Sequence, residues 1–179
     1  MSKLLEFVND NENPQRSFEL GLWYESLGHV AAAAGLYLRA AENSTGVLSY
    51  EALLRMANCF VIQGDLLHVI KGVLLRAISL CPSRPEAYFL LSRVYERNKE
   101  WHEAYTFAVM GQRFDVGLPL QTYVDYPGEY ALVFQQAVAA WWIGLFEESI
   151  SLLKKLDNCK KISPVYAIAV SSNLYRLTH

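Results

Sequence analysis

Residues 20–40 read LGLWYESLGHVAAAAGLYLRA. Leu20 and Gly21 are followed by Tyr24, then by the turn Leu27-Gly28-His29, then by Val30, Ala33, Tyr37 and Ala40. Apolar and small residues recur every three or four positions on both sides of the glycine. That spacing predicts two helices joined by a tight turn. Gly21 and Ala33 let the two helices approach closely, because neither side chain holds the backbones apart. Tyr24 and Tyr37 then fill the space beside the contact.

The same order recurs along the chain. Tyr50–Pro82 carries Met56, Ala57 and Phe60, the turn Gln63-Gly64-Asp65, then Leu66, Ile70, Leu74 and Ala77. Pro85–Asp115 carries Tyr88, Leu91, Ser92 and Tyr95, the turn Asn98-Lys99-Glu100, then Trp101, Ala104, Ala108 and Gly111. Tyr130–Leu156 is a looser copy with Ala137 and Trp141, the turn Ile143-Gly144-Leu145, then Phe146, Ser149 and Leu153. A single helical hairpin leaves an apolar face bare, so copies of this kind stack. The fold expected is all-α, a right-handed superhelical solenoid of antiparallel helix pairs. One domain spans 1–179, with copies at about 14–47, 50–83, 85–115 and 130–156, an irregular connector at 112–127 and a terminal helix at 164–177. Asn13-Pro14, Ser83-Arg84-Pro85 and Ser163-Pro164 place a capping side chain at or near a proline suited to a first helical turn. No alternating run of strand length lies between the turns.

These residues resemble the tetratricopeptide repeat (TPR), a helical pair of about 34 residues. The resemblance covers Pro14 to Leu156. Ser17 stands where the consensus has Trp, and Lys99 stands where it has the turn glycine. A narrower likeness is carried by Cys81-Pro-Ser-Arg-Pro-Glu-Ala-Tyr88, Lys99-Glu-Trp101-His-Glu-Ala104-Tyr105, the connector, and Tyr130-Ala-Leu running through Ala140-Trp-Trp-Ile-Gly144-Leu-Phe146. This order resembles the TPR region that follows the catalytic domain of some glycosyltransferases. No such catalytic domain is present here, so that likeness implies an accessory or substrate-presenting role and no chemistry.

The resemblance also implies a binding surface. TPR solenoids curve, and their first helices line the concave side. Carried onto this chain, the inward positions are Phe18, Leu22 and Glu25; then Leu54, Asn58 and Val61 with Arg55 beside them; then Glu86, Phe89, Arg93 and Arg97; then Phe134, Val138 and Trp142. The partner-binding set expected is Phe18, Leu22, Leu54, Arg55, Asn58, Phe89, Arg93, Arg97, Phe134 and Trp142. Arginines and an amide suit a carboxylate, and aromatic faces suit apolar anchors of a peptide. The arginines equally fit a solvated face. Trp141 and Trp142 fit packing between repeats as well as stacking on a sugar ring. The clamp that grips chaperone C-termini needs Lys and Asn where this chain has Phe18 and Leu22, so that recognition is not expected.

Chemistry is not expected. The chain has 179 residues, is 53% hydrophobic and 19% charged, and carries a net charge of −2. No basic field serves nucleic acid. The glycines form no phosphate loop, no His/Cys spacing fits zinc, and no nucleophile elbow occurs. Catalytic residues, metal and cofactor are therefore expected to be none. Cys59, Cys81 and Cys159 are widely spaced and suit reduced thiols. His29 and His102 fall at exposed turns. Glu147 and Glu148 suit the positive end of a helix. Asp115 and Asp125 flank the connector, where capping explains them better than acid–base work. No apolar run reaches the roughly 18 residues of a membrane span. A cytoplasmic protein with a protein or peptide partner is expected. Self-association through the terminal helices is the further expectation, because Val165, Ile168 and Tyr175 would form an apolar patch.

Overall fold

A computed structural model describes residues 3–64 and 66–178. Asp65 of the second turn lies outside the described residues. Among these, ten α-helices and no strand are found. They are α1 (Lys3–Asn9), α2 (Pro14–Ser26), α3 (Val30–Glu42), α4 (Gly46–Gln63), α5 (Leu67–Leu80), α6 (Pro85–Arg97), α7 (Trp101–Gly111), α8 (Glu129–Trp142), α9 (Phe146–Asp157) and α10 (Pro164–Thr178). The all-α reading holds. α4 begins at Gly46, ahead of Tyr50.

Contacts divide the chain into two compact units. Unit 1 is Met1–Ser83 with Leu118–Val124, and unit 2 is Arg84–Gly117 with Asp125–His179. The connector is thus shared out between them. In unit 1, consecutive helices α1 to α5 pack in turn, and α2 also touches α4. In unit 2, α6 to α10 pack in turn, while α6 touches α8 and α8 touches α10. Contact between every second helix is what stacking of hairpins requires.

Small residues set the spacing of the pairs. A Cβ on Gly21 would lie 2.8 Å from Cε1 of Tyr37, whose ring is fully buried against Phe18. The Ser92 hydroxyl donates to the Ala104 carbonyl at 2.8 Å, and Ser149 donates to Ala137 at 2.7 Å. Each such bond joins the two helices of one hairpin and contributes about 1 kcal/mol net. Ser17 is buried too, and its hydroxyl has no hydrogen-bond partner. In unit 2 a hydrophobic cluster joins Val133, Ala137, Leu153, Leu156 and Val170, so α10 covers the α8–α9 pair through Val170.

Three turns close alike. Gly28, Lys99 and Gly144 have φ of 79°, 61° and 86°. In each, the next N–H donates back to a carbonyl five residues earlier: His29 to Tyr24, Glu100 to Tyr95, Leu145 to Ala140. That geometry ends a helix with one left-handed residue, which a Cβ disfavours. Lys99→Gly is therefore expected to raise stability by about 0.5–1 kcal/mol after the entropy of the added glycine is subtracted. Urea denaturation of the two proteins measures it, and an unchanged midpoint would remove the argument.

Two helix starts differ from each other. Asn13 caps α2 by accepting from the Gln15 N–H at 3.0 Å. Arg84, the residue before Pro85, makes no side-chain cap bond to α6. Its guanidinium turns to Glu86 instead, at 2.5 Å, in a pair whose side chains are only 8% and 4% exposed. No helix among the described residues is long and apolar enough to cross a membrane.

Candidate partner-binding surface

α4 is apolar along most of its length, and its two charged residues are Glu51 and Arg55. Four positions apart, they share one face of the helix. Arg55 reaches Glu25 of α2, with Nη2 and Nε donating to Oε2 at 2.7 and 3.1 Å. The Tyr37 hydroxyl donates to the same oxygen at 2.5 Å, and the Asn58 amide lies 3.4 Å from Oε1. Burial opposes the Arg55 charge, but the Tyr37 hydrogen bond and the Glu25 carboxylate outweigh it and hold its pKa above the ordinary value. Burial, then the bond to Glu25, pushes the Tyr37 hydroxyl well up. Burial and then the Glu25 charge push the neighbouring Cys59 thiol up to about 12, so it is a poor nucleophile at neutral pH.

Glu51 is fully buried. Its carboxylate takes the N–H of Gln121 at 2.9 Å and, on the other oxygen, the N–H and the hydroxyl of Thr122, both at 2.6 Å. One helical turn on, Arg55 Nη1 donates to the Tyr123 carbonyl at 3.0 Å. Gln121 also exchanges an amide hydrogen bond with Gln15 of α2 at 2.8 Å. Residues 121–123 of the connector thus lie on the face of α4 that carries Arg55.

Unit 2 holds a second cluster on α6 and α8. Arg93 pairs with Asp125, and its guanidinium sits 5.5 Å from the centre of the Phe89 ring. Phe89 packs against Tyr126 at 5.4 Å. Asp125 therefore serves an ion pair rather than a cap, at a φ of 60°. Burial, helped by the charges of Glu86 and Glu129, pushes the Tyr126 hydroxyl well up. Burial likewise raises the pKa of Glu96, against the Gln135 amide, Arg93 and Arg97. Phe134 and Tyr130 both pack against Tyr166 in T-shaped pairs, with ring centroids 5.3 Å apart.

The expected binding residues thus separate into three groups. Phe18, Leu54 and Phe89 are core, at 0%, 1% and 0% exposure, and offer no face to a partner as the structure stands. The inward register carried over from the repeat consensus places them on the lining, but close packing of these helices takes them inside. Leu22, Arg55, Asn58, Arg93 and Phe134 are half-buried, and Arg97 is exposed. Trp142 is exposed and stacks on Trp101 at 5.0 Å with the rings 12° from parallel, beside the start of α7. Glu51 was missed. Its signal was a lone carboxylate one turn before Arg55 in an apolar helix.

Other candidates are placed as follows. Glu148 stands in the first turn of α9, as the helix dipole favours, and also accepts from Tyr105 at 2.8 Å and Gln136 at 2.6 Å. His29 and His102 are exposed. Among the described residues no group of three or more His, Cys, Asp or Glu is arranged to hold a metal ion. A cavity of about 450 Å³ opens at the α2–α3 turn, lined by Tyr24, Gly28, His29, Val30, Ala31 and Ala32, apart from the expected residues. Val165, Ile168 and Tyr175 of α10 are 75%, 72% and 68% exposed.

No family model matches the chain, and no curated protein matches it. Solved structures do. One is YrrB, described as a TPR protein with an unusual peptide-binding site; it is 12% identical, with 99% of this chain and 84% of that one covered at a TM-score of 0.71. A crystal structure of MamA is 18% identical over 97% of this chain and 87% of that one, at a TM-score of 0.69. A thermophilic TPR protein from Thermus thermophilus is 20% identical over 92% and 80%, at a TM-score of 0.57. Likeness at such identities is likeness of fold, and with the hairpins described above it establishes that this chain has the tetratricopeptide-repeat fold.

Proposed function

We propose that the protein is a non-catalytic helical-repeat scaffold that binds a peptide or protein partner through the polar faces of its first helices. One observation carries the reading: Glu51 and Arg55 of α4 already hold a stretch of chain through its main-chain N–H and carbonyl groups. Groups that grip a backbone are what a peptide-binding surface needs. In unit 2, Arg97 is exposed on α6 four residues after Arg93, which holds Asp125 in an ion pair. Charged and amide groups aimed at a main chain serve recognition, whereas catalysis needs a nucleophile or base beside a site for the reacting atom.

The test uses the full chain as bait for a partner identified by mass spectrometry. Arg93→Glu with Arg97→Glu is expected to weaken capture by about tenfold or more, a loss typical of a truncated charged contact, while helicity is kept. Capture at unchanged strength would sink the reading. An accessory role in carbohydrate transfer has its own support in Trp142, which is exposed where it stacks on Trp101, since aromatic faces also receive sugar rings. A glycan array separates the two: saturable glycan binding that Trp142→Ala abolishes would favour the carbohydrate role.

A further inference from the structure

We propose that connector residues 121–123 are an internal stand-in for the ligand, and that the partner is a bent peptide displaying two successive N–H groups and a Ser or Thr hydroxyl to Glu51. The inference rests on the peptide-binding reading above and names the chemistry of its ligand. Glu51 is the acceptor-only half of the site, and the segment meets it with three donors from two residues. Successive N–H groups of a straight strand point opposite ways, so both reach one carboxylate only where the chain bends. The chain does bend at Gln121 and Thr122. The Thr122 hydroxyl adds the one side-chain donor, and Arg55 takes the next carbonyl. Recognition is therefore of main chain plus one hydroxyl. Proline at either position removes an N–H and is excluded.

The way the segment is fastened makes it displaceable. None of its apolar side chains is fully buried: Leu118 is 79% exposed and Tyr123 67%, while Leu120 and Val124 are half-buried. Few buried apolar contacts and no regular secondary structure are the marks of a segment that opens locally while the helices stay folded. The bonds to Glu51 and Arg55 can be exchanged one for one by a peptide that offers the same groups. A segment tethered at both ends competes with a free peptide, and the apparent affinity falls with the fraction of time the site is open.

The probe is a synthetic peptide of residues 117–126, GLPLQTYVDY. The receptor is the full chain carrying Thr122→Glu, which sets a second carboxylate against Glu51 and expels the internal segment without altering α2 or α4. The peptide is expected to bind this variant saturably, and the unaltered chain at least about tenfold more weakly. Binding is expected to vanish when the peptide's own Thr is replaced by Val, or when the receptor also carries Glu51→Gln. Equal binding to both chains, or no binding to a Thr122→Glu chain of normal helicity, overturns the proposal. Hydrogen exchange of the unaltered chain gives a second check that needs no variant. The Gln121 and Thr122 amides are expected to exchange faster than those of α4, and exchange only through global unfolding overturns displacement. The two proposals fail separately. Partner capture lost in Arg93→Glu with Arg97→Glu, together with no peptide binding, refutes this inference alone. Peptide binding with capture indifferent to those arginines upholds this inference and refutes the role given to α6 in partner capture.

Discussion

Arg84→Met is expected to cost about 3–5 kcal/mol, the penalty for stranding one partner of a buried ion pair. The substitution leaves Glu86 with a side chain 4% exposed and its guanidinium gone. A buried carboxylate is costly to keep once its cationic partner has been removed. Adding Glu86→Met removes the stranded charge, so the double variant is expected to regain most of the loss. Urea denaturation of all four proteins, followed by helicity, gives the coupling directly. A single-variant cost below about 1 kcal/mol would mean that the pair behaves as a surface contact, whose usual worth is of that size.

Gly111→Leu is expected to have the next largest effect. A Cβ at Gly111 would fall 2.8 Å from Cβ of Tyr88 and 3.0 Å from Cδ2 of Leu132. The Tyr88 atom is fixed to the backbone of α6, so the clash moves a helix rather than a side-chain tip. Overpacking of this kind costs about 1–3 kcal/mol for a small addition, and leucine adds far more than one methyl. The opposing gain from removing a helical glycine is only about 1 kcal/mol. Gly35 and Gly72 are the controls: both are helical and a Cβ on either meets nothing within 4 Å. Alanine there should stabilise while leucine at Gly111 destabilises. Thermal melts of the three variants decide it, and a stable Gly111→Leu protein would refute the close approach of α6 and α7.

The fold could be read in advance because hairpin repeats write their contacts locally. Gly21 and Tyr37 meet across one turn, and Ser92 finds Ala104 twelve residues on. Such pairs follow from helical spacing alone. The surface was read less well, for two physical reasons. The consensus register assigns Phe18, Leu54 and Phe89 to the lining, yet how far a large side chain sinks depends on the close packing of its own unit. The contacts that matter most at α4 are non-local. Gln121 and Thr122 come seventy and seventy-one residues after Glu51, from a stretch with no periodicity to align. Lys99 shows the opposite case, a departure from the turn glycine that was visible in the sequence and that the backbone tolerates at a positive φ.

The fastening of Glu51 to residues 121 and 122 also sets an order of events on the ribosome. Helices α1 to α5 are all made before Leu118–Val124, so unit 1 can close its hairpins while this carboxylate still faces water. Closing so long a loop is slower than forming the local helical pairs. For the interval in which the chain from α6 onward emerges, the nascent protein carries Glu51 without its connector partners, and chain elongation itself supplies them.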